Sequence, residues 1–338
     1  MKPPASRNLG NAVAFSFARG VIPGEYALRS MTTPLMPLPV ATAAAPCRVV
    51  LLGGNGLLGG AFRRAWSGRA DFTLTEFPRA ELNLTRPDQI ESALARTEFD
   101  LLINAAAYTQ VDDAEVQPEL ALAVNATAAG VVAEHCTARG VRLVHFSTDY
   151  VFDGNSPRPY QESDPAYPLS AYGRSKLEGE QRVAAASPHH LILRLAWLFG
   201  PGRDAFPEWV LQQALRHGDV RVVSDKTGSP TYSQDVPAWM ESLLAAKATG
   251  LVHLVNGPAC TWQEYAQGVL DAATAAGWPL RTGLATPVPL SSLPGLTARR
   301  PVQSALSTGR FTQLTGQTPR PWPEAMAAHL ASKPVPVL

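Results

Sequence analysis

The sequence predicts an α/β fold, a doubly wound parallel sheet followed by a smaller C-terminal α/β lobe. Three observations carry this. Short apolar, β-branched runs recur between residues 48 and 255, separated by helical stretches and not by hairpin turns. The first run, residues 48–52, leads directly into Gly53-Gly54-Asn55-Gly56-Leu57-Leu58-Gly59 and then a helix. After Gly200 the alternation loosens, and proline and serine become frequent between residues 287 and 302.

Composition bounds the rest. The chain has 338 residues, of which 46% are hydrophobic, enough for a sizeable core. A net charge of +1 gives no electrostatic reason to expect nucleic acid or an anionic membrane as partner. No apolar run reaches the ~18 residues a bilayer span needs. Cys47, Cys136 and Cys260 lie far apart without metal or redox spacing, so reduced structural thiols in a cytoplasmic protein are expected, and no metal site. Residues 1–46 are rich in Pro, Ala and Thr without a sustained period. They read as a disordered extension or as a start assigned too early, with Met31 the true one. Arg7, Arg19 and Arg29 against Glu25 allow a transit peptide, but they build no clear amphipathic helix. Residues 47–200, with about 233–256, form the expected Rossmann-type dinucleotide-binding domain. Residues 201–232 and 257–334 form the expected substrate lobe.

The glycine loop has the physics of a dinucleotide site. Glycine permits a tight turn and close backbone approach, and the following helix offers free N–H groups to a pyrophosphate. Residues 71–75 are the second strand, whose end meets the adenosine ribose in such folds. An acid there takes a 2′-hydroxyl and an arginine a 2′-phosphate. Glu76 and Arg79 both lie nearby, which leaves the choice open. A helix is expected from Pro87 to about Arg96. Residues 99–103 form a strand ending in Asn104-Ala105-Ala106-Ala107-Tyr108-Thr109, small side chains at the sheet edge where open α/β sheets bind ligands. Residues 118–139 predict one long helix. It carries Asn125, whose mid-helix placement is unfavourable and favours exposure unless its amide has a task. Residues 141–146 form a strand ending at Ser147-Thr148, and a proline-rich loop follows. Ser170 caps the next helix. Residues 191–195 form a further strand. Beyond it are expected a helix (206–216), a short strand (220–223), a polar loop (224–232) and a helix (235–247). A strand (251–255) that can join the main sheet and a helix (261–275) capped by Thr261 follow.

The chemistry concentrates in Ser170-Ala171-Tyr172-Gly173-Arg174-Ser175-Lys176. Tyr172 and Lys176 share one helix face. A phenol titrates near ~10 in water, and a nearby ammonium pulls it toward neutrality. Such a pair exchanges a proton with a substrate oxygen at ordinary pH. Thr148 can hold that oxygen. Alone, Tyr-x-x-x-Lys is common on solvated helix faces; its weight comes from the glycine loop before it.

Together these pieces resemble the dTDP-4-dehydrorhamnose reductase family of the extended short-chain dehydrogenase/reductase superfamily, from about Arg48 to the C-terminal region. The most specific stretches are residues 104–115 (NAAAYTQVDDAE), 147–154 (STDYVFDG) and 224–232 (SDKTGSPTY). The resemblance implies NADPH- or NADH-dependent reduction of a 4-keto sugar nucleotide, dTDP-4-keto-L-rhamnose in that family. It implies a catalytic triad of Thr148, Tyr172 and Lys176, with Asn125 as a fourth member. Gly53, Asn55, Gly56, Leu57, Leu58 and Gly59 match the cofactor loop. Ala105, Ala106 and Tyr108 match the strand edge beside the cofactor, which Tyr172 and Lys176 also touch. Val111, Asp149, Tyr150 and Trp197 match positions facing the deoxysugar.

Three positions depart from the family pattern. Leu57 stands for a common Gln, Asn83 for an Asp, and Ala61 for a Glu that helps hold a bridging magnesium in some members. The last puts a magnesium-linked form of the expected homodimer in doubt. Trp197 reads equally as a sugar wall and as a core aromatic. Arg299 or Arg300 can meet a diphosphate or simply be solvated. A sugar-nucleotide dehydratase would need an acid after Asp149, where this chain has Tyr150. An epimerase needs the same triad and stays open. Gly56-Leu57-Leu58-Gly59 also resembles the NADP-binding regulatory subunit of methionine adenosyltransferase. Tyr108 to Asp112, the intact triad and Trp197 favour the reductase.

Overall fold

The computed structural model describes residues 42–292, 295 and 297–336. The expectations for residues 1–41 lie outside the described residues. Strand and helix alternate from the first described element: β1 (Cys47–Leu52), α1 (Leu57–Trp66), β2 (Phe72–Glu76), α2 (Pro87–Ala95) and β3 (Leu101–Asn104). The short helices α3 (Asp113–Val116) and α4 (Pro118–Leu122) follow, then α5 (Ala128–Ala138), β4 (Arg142–Thr148), α6 (Ala171–Ala186) and β5 (Leu191–Leu195). Beyond these come β6 (Leu198–Phe199), α7 (Phe206–Arg216), β7 (Val220–Val223), β8 (Thr227–Gly228) and β9 (Thr231–Tyr232). The chain continues through α8 (Val236–Ala245), β10 (Gly250–His253), β11 (Cys260–Thr261), α9 (Trp262–Ala275), β12 (Ala285–Val288), α10 (Gly309–Thr315) and α11 (Trp322–Ala331).

Six strands make one parallel sheet in the order β10-β5-β4-β3-β1-β2. The chain leaves β1 on one side for β2 and returns on the other side for β3. That reversal opens a crevice at the carboxyl ends of β1 and β3, the place where such sheets bind ligands. The inner strands β3, β4 and β5 are buried throughout and β1 nearly so, and alternate side chains serve opposite layers. Val49 and Leu51 pack with Phe62 and Trp66 of α1 and with Trp239 and Met240 of α8. Val50 and Leu52 pack with Ile90 and Leu94 of α2 and with Val132 and Cys136 of α5. Each fully buried Leu or Ile contributes roughly 1.5–3 kcal/mol, so both layers hold the sheet.

A separate apolar cluster forms the smaller lobe from Val210 and Leu211 of α7, Val222 of β7, Tyr265 and Leu270 of α9 and Trp322 and Met326 of α11. Its buried Glu208 is paired with His329 Nε2 at 2.7 Å and Lys333 Nζ at 2.7 Å. Those partners hold the carboxyl down at about 2 against its burial. Helix α9 starts with the expected Thr261 cap, in which Thr261 Oγ1 accepts from Glu264 N at 3.0 Å.

The structure corrects three sequence expectations here. The helix predicted over 118–139 is interrupted by a π-helical turn at Ala123–Thr127, centred on Asn125. The polar loop 224–232 contains β8 and β9, which pair with β11 and β6. Phe311 of α10, from the stretch assigned to the smaller lobe, packs in the layer beside Trp239. Among the described residues no helix is long and apolar enough to cross a membrane.

Candidate active site

The floor of the crevice is the turn after β1. Gly53 sits at φ +81°, a region costly for any side chain, and a Cβ there would lie 2.6 Å from Ala106 N. A Cβ on Gly59 would run into Gly53 O. The glycines thus let the turn, the first turn of α1 and the end of β3 close on one another. Gly56 caps α1 without any side-chain hydrogen bond, so the first N–H groups of the helix stay open toward the crevice. The Leu58 side chain is buried in the sheet layer with Phe62, which leaves its backbone as the part of it that belongs to the loop. Asn55 is exposed, and its Oδ1 accepts from Arg63 Nη2 at 3.0 Å. At the end of β2, the Glu76 carboxylate lies against Gly54 and pairs with Arg63 at 3.1 Å.

The opposite wall is built by β3, the π turn and α6. Asn125 is buried, against the expectation that position alone gave. Its Oδ1 accepts from Tyr108 N at 2.8 Å, and its Nδ2 donates to Tyr108 O at 3.0 Å and Ser175 Oγ at 2.9 Å. The widened π turn aims the amide inward. One side chain therefore fixes the Ala105–Ala106–Tyr108 edge against the catalytic helix. Helix α6 is doubly capped: Ser170 Oγ accepts from Gly173 N at 3.1 Å, and Glu115 Oε1 accepts from Ala171 N at 2.7 Å.

On α6, Tyr172 and Lys176 are both buried. Lys176 Nζ donates to Phe146 O at 2.6 Å. Burial pushes its ammonium down to about 8. The Tyr172 phenol goes the other way, up to about 12, because burial outweighs the Thr148 hydroxyl beside it and Asp149 adds to the rise. The ammonium is itself desolvated and donates one of its three hydrogens to the β4 carbonyl. The phenol is consequently protonated across the physiological range.

Thr148 ends β4. Its hydroxyl donates to Asp149 Oδ1 at 3.2 Å and accepts from Tyr150 N at 3.2 Å. Tyr150 meets Tyr172 edge-on with ring centroids 5.7 Å apart, and Val111 packs in the same small cluster. Asp149 is 1% exposed, buried much as Lys176 is at 2%. Its second oxygen accepts from Ser304 Oγ at 2.6 Å. Lys226, fully buried, donates to Pro301 O and lies 5.5 Å from the Tyr150 ring centre. Burial holds its ammonium at about 8. Arg300 is bound to Asp112 through two bonds of 3.1 and 2.6 Å, and Arg299 is exposed. Arg300 also faces the Tyr150 hydroxyl.

The glycine cradle, the open helix end, and the Tyr172–Lys176 pair beside Thr148 coincide at one sheet edge. Residues 47–334 match the family described as RmlD substrate binding domain. The chain belongs to this family. It is 31% identical over 285 residues to a dTDP-4-dehydrorhamnose reductase of Aggregatibacter actinomycetemcomitans, covering 82% of this chain and 97% of the relative. It is 38% identical over 295 residues to the reductase of that name from Mycobacterium tuberculosis, covering 84% and 93%. The solved structure of the Bacillus anthracis reductase in complex with NADP superposes with a TM-score of 0.78 at 29% identity, covering 85% of this chain and all of that one.

Trp197 packs partly as a core aromatic, one of the two readings its sequence position left open. Its ring packs with Trp262 and Tyr265 of the smaller lobe at 6.0 and 6.1 Å. Yet it is only partly buried and stands at φ +43°, a strained backbone for a bulky residue. Its Nε1 has no hydrogen-bond partner. Sequence reasoning missed Ser175, Lys226 and Ser304. Ser175 and Lys226 lay in stretches that had drawn notice; Ser304 did not.

Proposed function

We propose that the chain reduces the 4-keto group of dTDP-4-dehydro-L-rhamnose to give dTDP-L-rhamnose, with NADPH or NADH as reductant. The observation that carries the reading is the placement of Tyr172 and Lys176 on α6 beside Thr148 at the carboxyl end of the sheet. Reduction of a ketone needs a proton donor, and Tyr172, raised to about 12, keeps its proton at working pH. The family membership and the names of its curated relatives carry the substrate.

The crevice fits a dinucleotide. Gly53 and Gly59 leave no room for side chains, and the uncapped start of α1 offers N–H groups for a diphosphate. Glu76 and Arg63 stand where the adenosine ribose would end. A bound nicotinamide supplies the hydride. Tyr172 donates the proton to the C4 oxygen. Lys176, anchored on Phe146 O, keeps positive charge beside the phenol's oxygen as it loses that proton. Thr148 orients the phenol and the C4 oxygen. Asn125 holds Tyr108 and Ser175 and so fixes the distance between sheet edge and helix. Val111, Tyr150 and Trp197 line the sugar side. The substrate is a small soluble sugar nucleotide. A cytoplasmic site of action accords with three free, buried cysteines. A homodimer without a metal bridge fits Ala61, whose methyl offers no ligand.

The test follows NADPH and NADH oxidation with enzymatically made dTDP-4-keto-L-rhamnose. Turnover that collapses in Tyr172→Phe supports the reductase. Cofactor binding without turnover would favour the regulatory-subunit reading, which the glycine loop also resembles.

A further inference from the structure

We propose that Glu180 is the positioning residue for Lys176: gripped by Arg194 of β5, its carboxylate ties the next turn of α6 to the sheet and sets a negative charge toward the ammonium. The catalytic consequence rests on the reductase reading, but the placement of the carboxylate does not.

Tyr172, Lys176 and Glu180 follow at four-residue intervals, so they share the inner face of α6, and all three are buried. A lone carboxylate is costly to bury and needs a partner. Arg194, equally buried, supplies a two-pronged one: Nε donates to Glu180 Oε1 at 2.7 Å and Nη2 donates to Oε2 at 2.6 Å. Its third prong, Nη1, meets His253 Nε2 at 3.5 Å. Tyr160 O can only accept, so His253 Nδ1, at 3.1 Å from it, carries the ring hydrogen and leaves Nε2 as the acceptor for Arg194. The guanidinium also lies over the Phe152 ring, 4.9 Å from its centre. Arg194 is in register with Ser147 of β4 and His253 of β10, in the interior of the sheet.

Helix α6 therefore has two polar tethers one turn apart. Lys176 Nζ reaches Phe146 O of β4, and Glu180 reaches Arg194 of the neighbouring strand β5. Between them Gly179 lies so close to the π turn that a Cβ would run into Asn125 O. That contact limits how near the helix can come, but it does not stop rotation about the helix axis. Two tethers to adjacent strands do. A turn of the helix would carry Tyr172 away from Thr148 and Lys176 away from Phe146 O together.

The titratable and charged groups around Lys176 come from three elements. Tyr172 lies one turn before it and Glu180 one turn after it on α6, β4 brings His145, and β5 brings Arg194, whose charge Glu180 meets. Burial and Lys176 itself hold His145 neutral. Glu180 is the group that favours the ammonium against the burial that disfavours it. Removing its charge moves the loss of the Lys176 proton to lower pH.

The experiment titrates Lys176 in the full chain by NMR of 13C-labelled lysine, its signal assigned by its loss in Lys176→Met, and measures kcat with the 4-keto substrate in parallel. The wild-type midpoint, about 8, is expected to fall by about one pH unit in Glu180→Gln. Relative to wild type, kcat of E180Q should then stay within about twofold at pH 6.5 and drop about five- to tenfold at pH 8.5. E180Q leaves Arg194 buried without its partner, which burdens the fold, so the double variant E180L/R194M removes both charges at once. Its Lys176 midpoint is expected to fall as well. A midpoint that stays near the wild-type value in these variants, or a kcat loss equal at the two pH values, overturns the proposal and leaves the pair as a structural clamp. A wild type that never turns over would refute the reductase reading alone. The fall in midpoint would still uphold the placement of Glu180, and its absence would still refute it.

Discussion

The two sides of the crevice are built in different ways. The cofactor side is local: strand, turn and helix are contiguous, and Gly53, Gly56 and Gly59 sit within one turn whose backbone closes on itself, with Gly56 N donating to Gly53 O at 2.9 Å. The substrate side is assembled from far-separated chain. Asp149 meets Ser304 across 155 residues, Arg300 meets Asp112 across 188, and Lys226 meets Pro301 across 75. A local site is read from pattern; a distributed one exists only after the sheet and lobe have folded. The difference extends to energetics. On the cofactor side, shape does the work. On the catalytic side, buried ionisable groups sit away from their ordinary pKa values, a cost in stability tolerated where function needs it.

The largest effect expected is at the junction of the two sides. Tyr172→Phe should lower kcat by roughly a hundred- to ten-thousandfold, the usual worth of a positioned general acid. NADPH affinity should be nearly unchanged; a parallel loss of binding would mean that the phenol belongs to the cofactor side.

Gly59→Ala tests whether the cofactor side is as rigid as its contacts imply. The added methyl meets Gly53 O, backbone that cannot yield cheaply. A destabilisation of about 1–3 kcal/mol, with loss of NADPH binding by fluorescence titration, is expected. Full binding would show that the loop can open.

Lys176→Met separates stability from chemistry. The folded-state pKa of Lys176, about 8, lies below that of a free lysine, so the folded protein gains stability as pH rises from about 8 toward the free value. Below about pH 8 the buried charge is a burden. K176M should therefore melt higher than wild type at pH 7, with a gain that shrinks by pH 10, while turnover falls. In the wild type, kcat should decline above about pH 8 as Lys176 loses its proton. Lys226 is also held at about 8, so Lys226→Gln tells which lysine owns the limb.

The smallest effect concerns the ribose end. Glu76 is part-exposed and paired with Arg63. Glu76→Ala should raise the KM for NADH several-fold and that for NADPH less, since an acid serves a 2′-hydroxyl and repels a 2′-phosphate. Equal changes would place Glu76 in loop support alone.

Legibility follows the same division. The strand pattern placed all six strands of the main sheet to within a residue or two, and the Tyr172–Lys176 spacing found the catalytic helix with its Ser170 cap. Asn125 was noticed as an oddity, but its burial was not readable. A π turn shifts the helical phase by a residue, and nothing in an alanine-rich stretch marks where that happens. The spacing of Lys176 and Tyr172 gives proximity but not solvation. Desolvation, the dominant influence on both groups, is a property of what packs around them.

By itself, then, the sequence determined the parallel sheet, the glycine cradle and the pairing of Tyr172 with Lys176 on one helix, since each rests on periodicity or on residues within a turn or two of one another. The tertiary structure alone decided that Asp149 meets Ser304, that Arg300 is tied to Asp112, and that Asn125 is buried against Tyr108 and Ser175. Those outcomes depend on burial and on contacts between distant segments, and neither is encoded in any local pattern.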